Sequence, residues 1–225
     1  MPHHGGSRLF LSVPPKKHFL KNRSTYCHFV LAFTRGYPRN RNRLRELIRH
    51  KKSGKLLEVG YGEGNFLHEA QKQFDIEGIE YSEYATNNAR IILGDKVRRG
   101  NIQNVNLQSA YYDVIVVFNL LEHLREPMKI INKLSYALKE DGILIGSVPN
   151  NFGIIGGFVT AISNIFDKTH CSTYSPDIWY EYFTEVGFSE VSFFGEVTLG
   201  RNRGFYVKSK FWKFVSFNLM FVCEK

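Results

Sequence analysis

Residues 55–66, KLLEVGYGEGNF, decide how this chain folds. Leu56, Leu57 and Val59 form an apolar run of strand length. Gly60, Gly62 and Gly64 follow at alternate positions. Asn65 then opens the segment FLHEAQKQF, in which Phe66, Leu67, Ala70 and Phe74 share one face at helical spacing. A buried strand, a glycine turn and a helix make the first half of a βαβ unit. Glycine lets the backbone turn tightly and lets a ligand approach main-chain N–H groups with no Cβ in the way. The helix N-terminus beyond the turn adds a partial positive charge.

The chain around this unit has 225 residues, enough for one sizeable α/β domain. Its hydrophobic content of 43% and aromatic content of 15% argue for a packed core and against disorder. Cys27, Cys171 and Cys223 are far apart and show no CxxC spacing. That gives neither a zinc knuckle nor a disulfide framework, so a reducing, cytoplasmic compartment is expected. No apolar run reaches the length of a membrane span, and Cys27 to Phe33 is too short and lacks the form of a signal peptide.

The net charge of +9 is unevenly placed. Residues 1–55 hold 14 of the 30 Lys and Arg and a single acid, Glu46; the remaining 16 bases face 20 acids, a net of −4. The basic quarter reads as a solvated tail and helix face, or as a contact for phosphate, RNA or an anionic membrane surface. Residues 1–24 lack periodicity and are expected to be a disordered basic tail. Their lack of acids also suits a mitochondrial-type transit peptide. Residues 25–225 then form one domain.

Along that domain, Gly36 and Pro38 are expected to break any helix before Arg43, and Arg43 to Lys52 reads as a short helix with Leu44, Leu47 and Ile48 inward. Asp75–Glu80, Val97–Ile102, Tyr112–Asn119, Ile143–Val148, Phe188–Val197 and Phe217–Cys223 read as further strands. Between them, Ser82 caps a helix to about Ile92, Pro127 to Leu138 is amphipathic, and Ser175 with Pro176 starts a helix that ends at Gly187. Glu80 closes the second strand about 20 residues beyond the glycines, where an acid accepts hydrogen bonds from ribose hydroxyls.

The spacing Glu58-x-Gly60-x-Gly62-x-Gly64 resembles motif I of the class I S-adenosylmethionine-dependent methyltransferases. A dinucleotide fingerprint would instead place its third glycine at Asn65, which disfavours an NAD(P) oxidoreductase. GIEYSEYATNNAR (78–90) is similar to the family's second strand with its ribose-binding acid. YYDVIVVFNLLEHLREP (111–127) resembles motif IV and its flank in the subgroup of ubiquinone-biosynthesis O-methyltransferases, and KEDGILIGSVPN (139–150) resembles the fifth strand. The likeness is sharp from Gly54 to Asn150 and weaker from Gly187 onward. It implies a Rossmann-like sheet of order 3-2-1-4-5-7-6 with strand 7 antiparallel. It implies S-adenosylmethionine as cofactor, held by Glu58, Gly60, Tyr61, Gly62, Gly64, Glu80, Tyr81, Asn101, Ile102, Asn119 and Leu120. Asn101 stands where the family has an aspartate facing the adenine amino group. Its amide oxygen still accepts a hydrogen bond.

The acceptor is expected above strands four and five, under the N-terminal segment and a lid inserted at 151–175. Ile154, Ile155, Phe158, Val159, Ile162 and Phe166 give that insertion an apolar surface, suited to helix packing, a lipophilic acceptor or a peripheral membrane contact. Methyl transfer to oxygen or nitrogen needs a base to take the acceptor's proton. His123 and His170 are the candidates. A related E-x-x-E-H segment in some O-methyltransferases binds a divalent metal, which here would use Glu122, His123 and His170; Asn119 replaces the first carboxylate, and no metal is the favoured expectation. Three functions stay open: transfer to oxygen, in preference to nitrogen, of a small or lipophilic metabolite; RNA methylation through the basic N-terminal quarter; and a non-catalytic binding module. NLLEH after strand four differs from the [DN]PP[YF] that cradles an exocyclic base amine, which argues against base methylation.

Overall fold

The computed structural model describes residues 37–150, 171–172, 174–199, 203–207, 216 and 218–225. The expected tail at 1–24 and nearly all of the expected lid, including His170, lie outside the described residues. The described chain runs α1 (Tyr37–His50), β1 (Gly54–Val59), α2 (Asn65–Ala70), β2 (Phe74–Glu80), α3 (Glu83–Leu93), β3 (Val97–Arg99), β4 (Tyr112–Phe118), α4 (Pro127–Ala137), β5 (Leu138–Pro149), α5 (Pro176–Glu185), β6 (Glu190–Leu199), β7 (Arg203–Val207) and β8 (Asn218–Glu224).

These strands form one sheet in the order β3-β2-β1-β4-β5-β8-β6-β7. β1 to β5 pair in parallel, and β8 lies antiparallel between β5 and β6. This is the expected Rossmann-like sheet, with one further edge strand, β7, that the sequence reading left out. Strand residues alternate between two cores. Leu57, Ile115, Val117 and Leu144 face α4 and α5 with Ile131, Leu134, Trp179 and Phe183. Leu56, Val114, Val116 and Ile145 face α1, α2 and α3 with Leu47, Phe66, Leu67 and Ala89. Both faces are therefore covered, which is why Leu56-Leu57 of β1 and Val114–Phe118 of β4 read as consecutive apolar residues.

Four local differences from the sequence reading have physical causes. α1 begins at Tyr37, six residues before the expected start, because Pro38 sits in its first turn, where no intrahelical N–H bond is lost. α2 stops at Ala70, so Phe74 belongs to β2 and reaches the same core from the sheet. β3 ends at Arg99: the Gly100 N–H turns back to the Glu80 carbonyl at 2.8 Å, and Asn101 folds into a turn. β5 begins at Leu138, and Asp141-Gly142 is an irregularity within its pairing to β4, not its boundary.

The helix caps follow local chemistry. The Ser82 hydroxyl accepts from the Ala85 N–H, and Ser175 accepts from the Ile178 N–H, both at 3.3 Å. Among the described residues no helix is long and apolar enough to cross a membrane.

The centre of β5 packs with no spare volume. A Cβ at Gly146 would stand 2.3 Å from the Val117 carbonyl oxygen and 2.4 Å from Phe221 Cζ. Gly146→Ala is therefore expected to destabilise the domain by about 3 kcal/mol. Urea unfolding checks this; an unchanged midpoint would contradict the β4–β5–β8 packing.

Candidate active site

The sequence-selected residues gather beyond the C-terminal ends of β1, β2 and β4, as in other open α/β sheets. The glycine loop is left-handed at each alternate residue, with φ of 75° at Gly60, 56° at Gly62 and 77° at Gly64. The Gly60 N–H donates to the Ile79 carbonyl at 2.8 Å, which ties the loop to β2. A Cβ at Gly60 would meet Leu120 Cδ1 at 3.2 Å, whereas one at Gly62 would meet nothing within 4 Å. Gly62 thus presents bare backbone to open space. Tyr61 is buried, its hydroxyl 3.3 Å from Thr86 Oγ1.

Glu80 sits opposite this loop. Its two carboxylate oxygens accept from the Gly62 N–H at 2.9 Å and the Ser82 N–H at 2.8 Å. A carboxylate has about four lone-pair sites, so these bonds hold it rigid and leave acceptor capacity for hydroxyls. Tyr81 beside it is 69% exposed. Ile102 is buried, and the Asn101 amide oxygen accepts from the Gln103 N–H at 3.0 Å, so that oxygen first serves the turn after β3.

Past β4 the backbone makes a second left-handed turn at Asn119, φ 51°, pinned by its N–H to the Ser147 carbonyl at 2.8 Å. Leu120 then lies against Gly60. Glu122 is 1% exposed, and its Oε2 is buried with no hydrogen-bond partner. Its main-chain carbonyl accepts from the N–H groups of Cys171 and Ser172, which ties the last part of the expected lid segment to this turn. His123 points to a more open position, its Nε2 4.0 Å from Glu122 Oε1. Among the described residues no three His, Cys, Asp or Glu side chains are arranged to hold a metal ion.

Residues that the sequence reading did not select complete the centre. The Arg43 guanidinium, from α1, is buried and donates to both Glu196 oxygens at 3.0 and 3.1 Å, to Ser147 Oγ at 3.1 Å and to Asn119 Oδ1 at 3.4 Å. It also lies 3.9 Å from the centre of the Phe118 ring. Arg39 and Asn218 add donors to Glu196. Burial alone would raise the Glu196 carboxyl, but the charges of Arg43 and Arg39 overcome it and hold the group at about 2. Arg43 and Glu196 stand 153 residues apart, so no local spacing could have paired them.

Glu58 and Glu122 behave in the opposite way. Burial pushes Glu58 up to about 8, against the opposing pull of Arg43 and a Leu67 N–H bond. Burial pushes Glu122 up to about 7, against its own N–H, Asn119 and Arg43. Glu58 Oε2, like Glu122 Oε2, is buried without a partner. Two unpartnered carboxyl oxygens, a bare glycine backbone and an acid with spare acceptor capacity give this face the means to hold a nucleoside.

A family model described as "Methyltransferase domain" matches residues 28–192, and the chain belongs to that family. A probable S-adenosylmethionine-dependent methyltransferase of Mycolicibacterium smegmatis is 26% identical over 121 residues, covering 52% of this chain and 46% of that protein. The chain spans about half the length of the curated relatives it matches. Among solved structures, an S-adenosylmethionine-dependent methyltransferase of Thermotoga maritima, described as a possible histamine N-methyltransferase, superposes with a TM-score of 0.68 at 18% identity, covering 88% of this chain and 97% of that one. A S-adenosylmethionine-dependent methyltransferase of Archaeoglobus fulgidus gives 0.65 at 19% identity, covering 89% and 99%. This is a class I methyltransferase domain, and its cofactor is S-adenosylmethionine.

The raised carboxyls set a pH dependence. A native carboxyl held protonated above its unfolded pKa stabilises fully below that unfolded value, and the gain is lost as pH rises through the folded one. Glu58 and Glu122 should thus each cost about 1 kcal/mol per pH unit between pH 5 and their folded values near 8 and 7. Glu196, held near 2, contributes no slope there. Urea melts of the ligand-free protein across pH 5–8 should show a steeper loss in wild type than in Glu58→Gln or Glu122→Gln; parallel slopes would contradict the assignment.

Proposed function

We propose that this domain transfers the methyl group of S-adenosylmethionine to an oxygen, in preference to a nitrogen, of a small or lipophilic metabolite, as the resemblance to ubiquinone-biosynthesis O-methyltransferases suggests. The observation that carries the reading is Glu80 locked across the bare Gly62 backbone by two main-chain N–H bonds. In this reading Glu80 binds the ribose hydroxyls, and Tyr81, Asn101 and Ile102 flank the adenine. Glu58, Tyr61 and the three glycines, with Asn119 and Leu120, surround the methionine end. Bound there, the cofactor supplies a methyl carbon made electrophilic by its sulfonium.

The chain's own task is to exclude water, hold the acceptor in line and take its proton. Glu122 joins His123 and His170 as a candidate for that proton. Its carboxyl, near 7, is matched to proton transfer at neutral pH.

An acceptor smaller than RNA is favoured by where the basic charge goes. Arg39 and Arg43 bind Glu196, Arg49 binds Glu46, Lys51 binds Asp141, and Lys55 binds Asp75 and Glu77. Within the described part of the N-terminal quarter, much of the charge is neutralised by the domain itself and is not offered to phosphate. The charges at 1–36 lie outside the described residues.

Calorimetric titration tests the cofactor assignment. S-adenosylmethionine and S-adenosylhomocysteine should bind at micromolar concentration and NADH should not; the reverse would refute it. Glu80→Ala should weaken S-adenosylmethionine about 10- to 100-fold, from lost bonds to an ionised acceptor. Gly62→Ala should keep the fold within about 1–2 kcal/mol, the cost of a left-handed alanine, yet lose most cofactor affinity. Normal affinity in Gly62→Ala would remove the loop from the binding site.

A further inference from the structure

Arg43 belongs to none of the segments that the family resemblance places at the cofactor. It sits on α1, ahead of the whole sheet, yet its guanidinium ends at the turn after β4. The Asn119 backbone there is fixed by its N–H bond to Ser147. The remaining freedom is which way its side-chain amide faces. An amide can exchange its oxygen and nitrogen by a half-turn, and only neighbours with a fixed donor or acceptor role prevent this.

Asn119 Oδ1 faces two groups, Ser147 Oγ at 3.0 Å and Arg43 Nη2 at 3.4 Å. The hydroxyl can donate or accept, so alone it would tolerate either orientation. The guanidinium only donates and does not lose its proton. It also donates to Ser147 Oγ at 3.1 Å, which uses a lone pair of the hydroxyl and turns its proton toward Asn119. Both effects force oxygen toward Arg43. The amide nitrogen is then turned away from both Arg43 and Ser147. Arg43 itself is held by the Glu196 fork and the Phe118 ring.

We infer that Arg43 is a positioning residue of the methyl-transfer site: from α1 it sets the orientation of the Asn119 amide, with the oxygen toward α1 and the amide N–H turned away from it. The link to methyl transfer rests on the proposed place of Asn119 at the methionine end of the cofactor; the orientation itself does not. α1 is then part of the catalytic unit and not only a cover for the glycine helix.

The test uses the full chain as wild type, Arg43→Met, Arg43→Lys, Asn119→Gly and the Arg43→Met/Asn119→Gly double variant. Glycine keeps the left-handed backbone at 119 without strain. Arg43→Lys retains a cation for Glu196 but loses the fork, which guards against a variant that fails to fold. The first readout needs no ligand. The Asn119 side-chain amide protons, identified in a nitrogen–proton correlation spectrum by their loss in Asn119→Gly, should be dispersed and slow to exchange in wild type. They should move to solvent-like positions in folded Arg43→Met or Arg43→Lys. Unchanged resonances overturn the proposal.

The second readout is S-adenosylhomocysteine affinity. Arg43→Met and Asn119→Gly should each weaken it about tenfold, and the double variant should be no weaker than Asn119→Gly by more than about twofold. A multiplied loss of about a hundredfold would mean that Arg43 acts independently of Asn119, and would overturn the proposal. Failure of wild type to bind would count against the cofactor reading alone, and the amide resonances would still decide the role of Arg43.

Discussion

Three left-handed residues in five, Gly60, Gly62 and Gly64, set the path of the chain from β1 into α2, and the rest of the site is arranged around that path. The turn makes the first N–H point at Ile79 and the third residue's N–H point at Glu80, so the end of β1 is bonded to the end of β2. It brings Gly60 against Leu120, so the turn after β4 packs onto the loop. A side chain at 60 would crowd Leu120, one at 64 would collide with Leu93, and either would strain the backbone. The same backbone that directs the strand into its helix therefore builds the face available to a nucleoside.

The second organising centre is electrostatic. Removing Arg43 and Glu196 from water is costly, and the pair persists because nearly every polar atom in it is answered. Arg39, Asn218, Ser147 and Asn119 supply the bonds, and Phe118 supplies an aromatic face. These groups come from α1, β5, β6, β8 and the end of β4. Such a pair adds less to net stability than to the choice of one arrangement. Glu58 and Glu122 lie within the field of the same arginine, yet burial outweighs its pull and keeps their carboxyls high.

The uneven charge of the chain looks different once folded. As a sequence, the N-terminal quarter is a basic block ahead of a mildly acidic domain. In the fold, described arginines and lysines of that block close onto acids of β2, β5 and β6. Clustered charge along a chain is thus the raw material for long-range pairing as readily as for a polyanion surface.

The sheet order, the glycine loop and the ribose-type acid were legible in the sequence because each is written locally. Strands buried on both faces are continuous apolar runs, left-handed turns demand glycine, and Glu80 stands at a fixed distance along one βαβ unit. The cap residues Ser82 and Ser175 were legible for the same reason. What the sequence could not determine was anything that joins distant segments through side chains. β7 was unreadable because an edge strand is decided by the partner it meets. Only the tertiary structure brought Arg43 to Glu196 and Asn119, buried the second oxygen of Glu122, and left His123 more open than its neighbour. Burial and long-range hydrogen bonding set the ionisation and orientation of these groups, and neither is encoded in the spacing of residues along the chain.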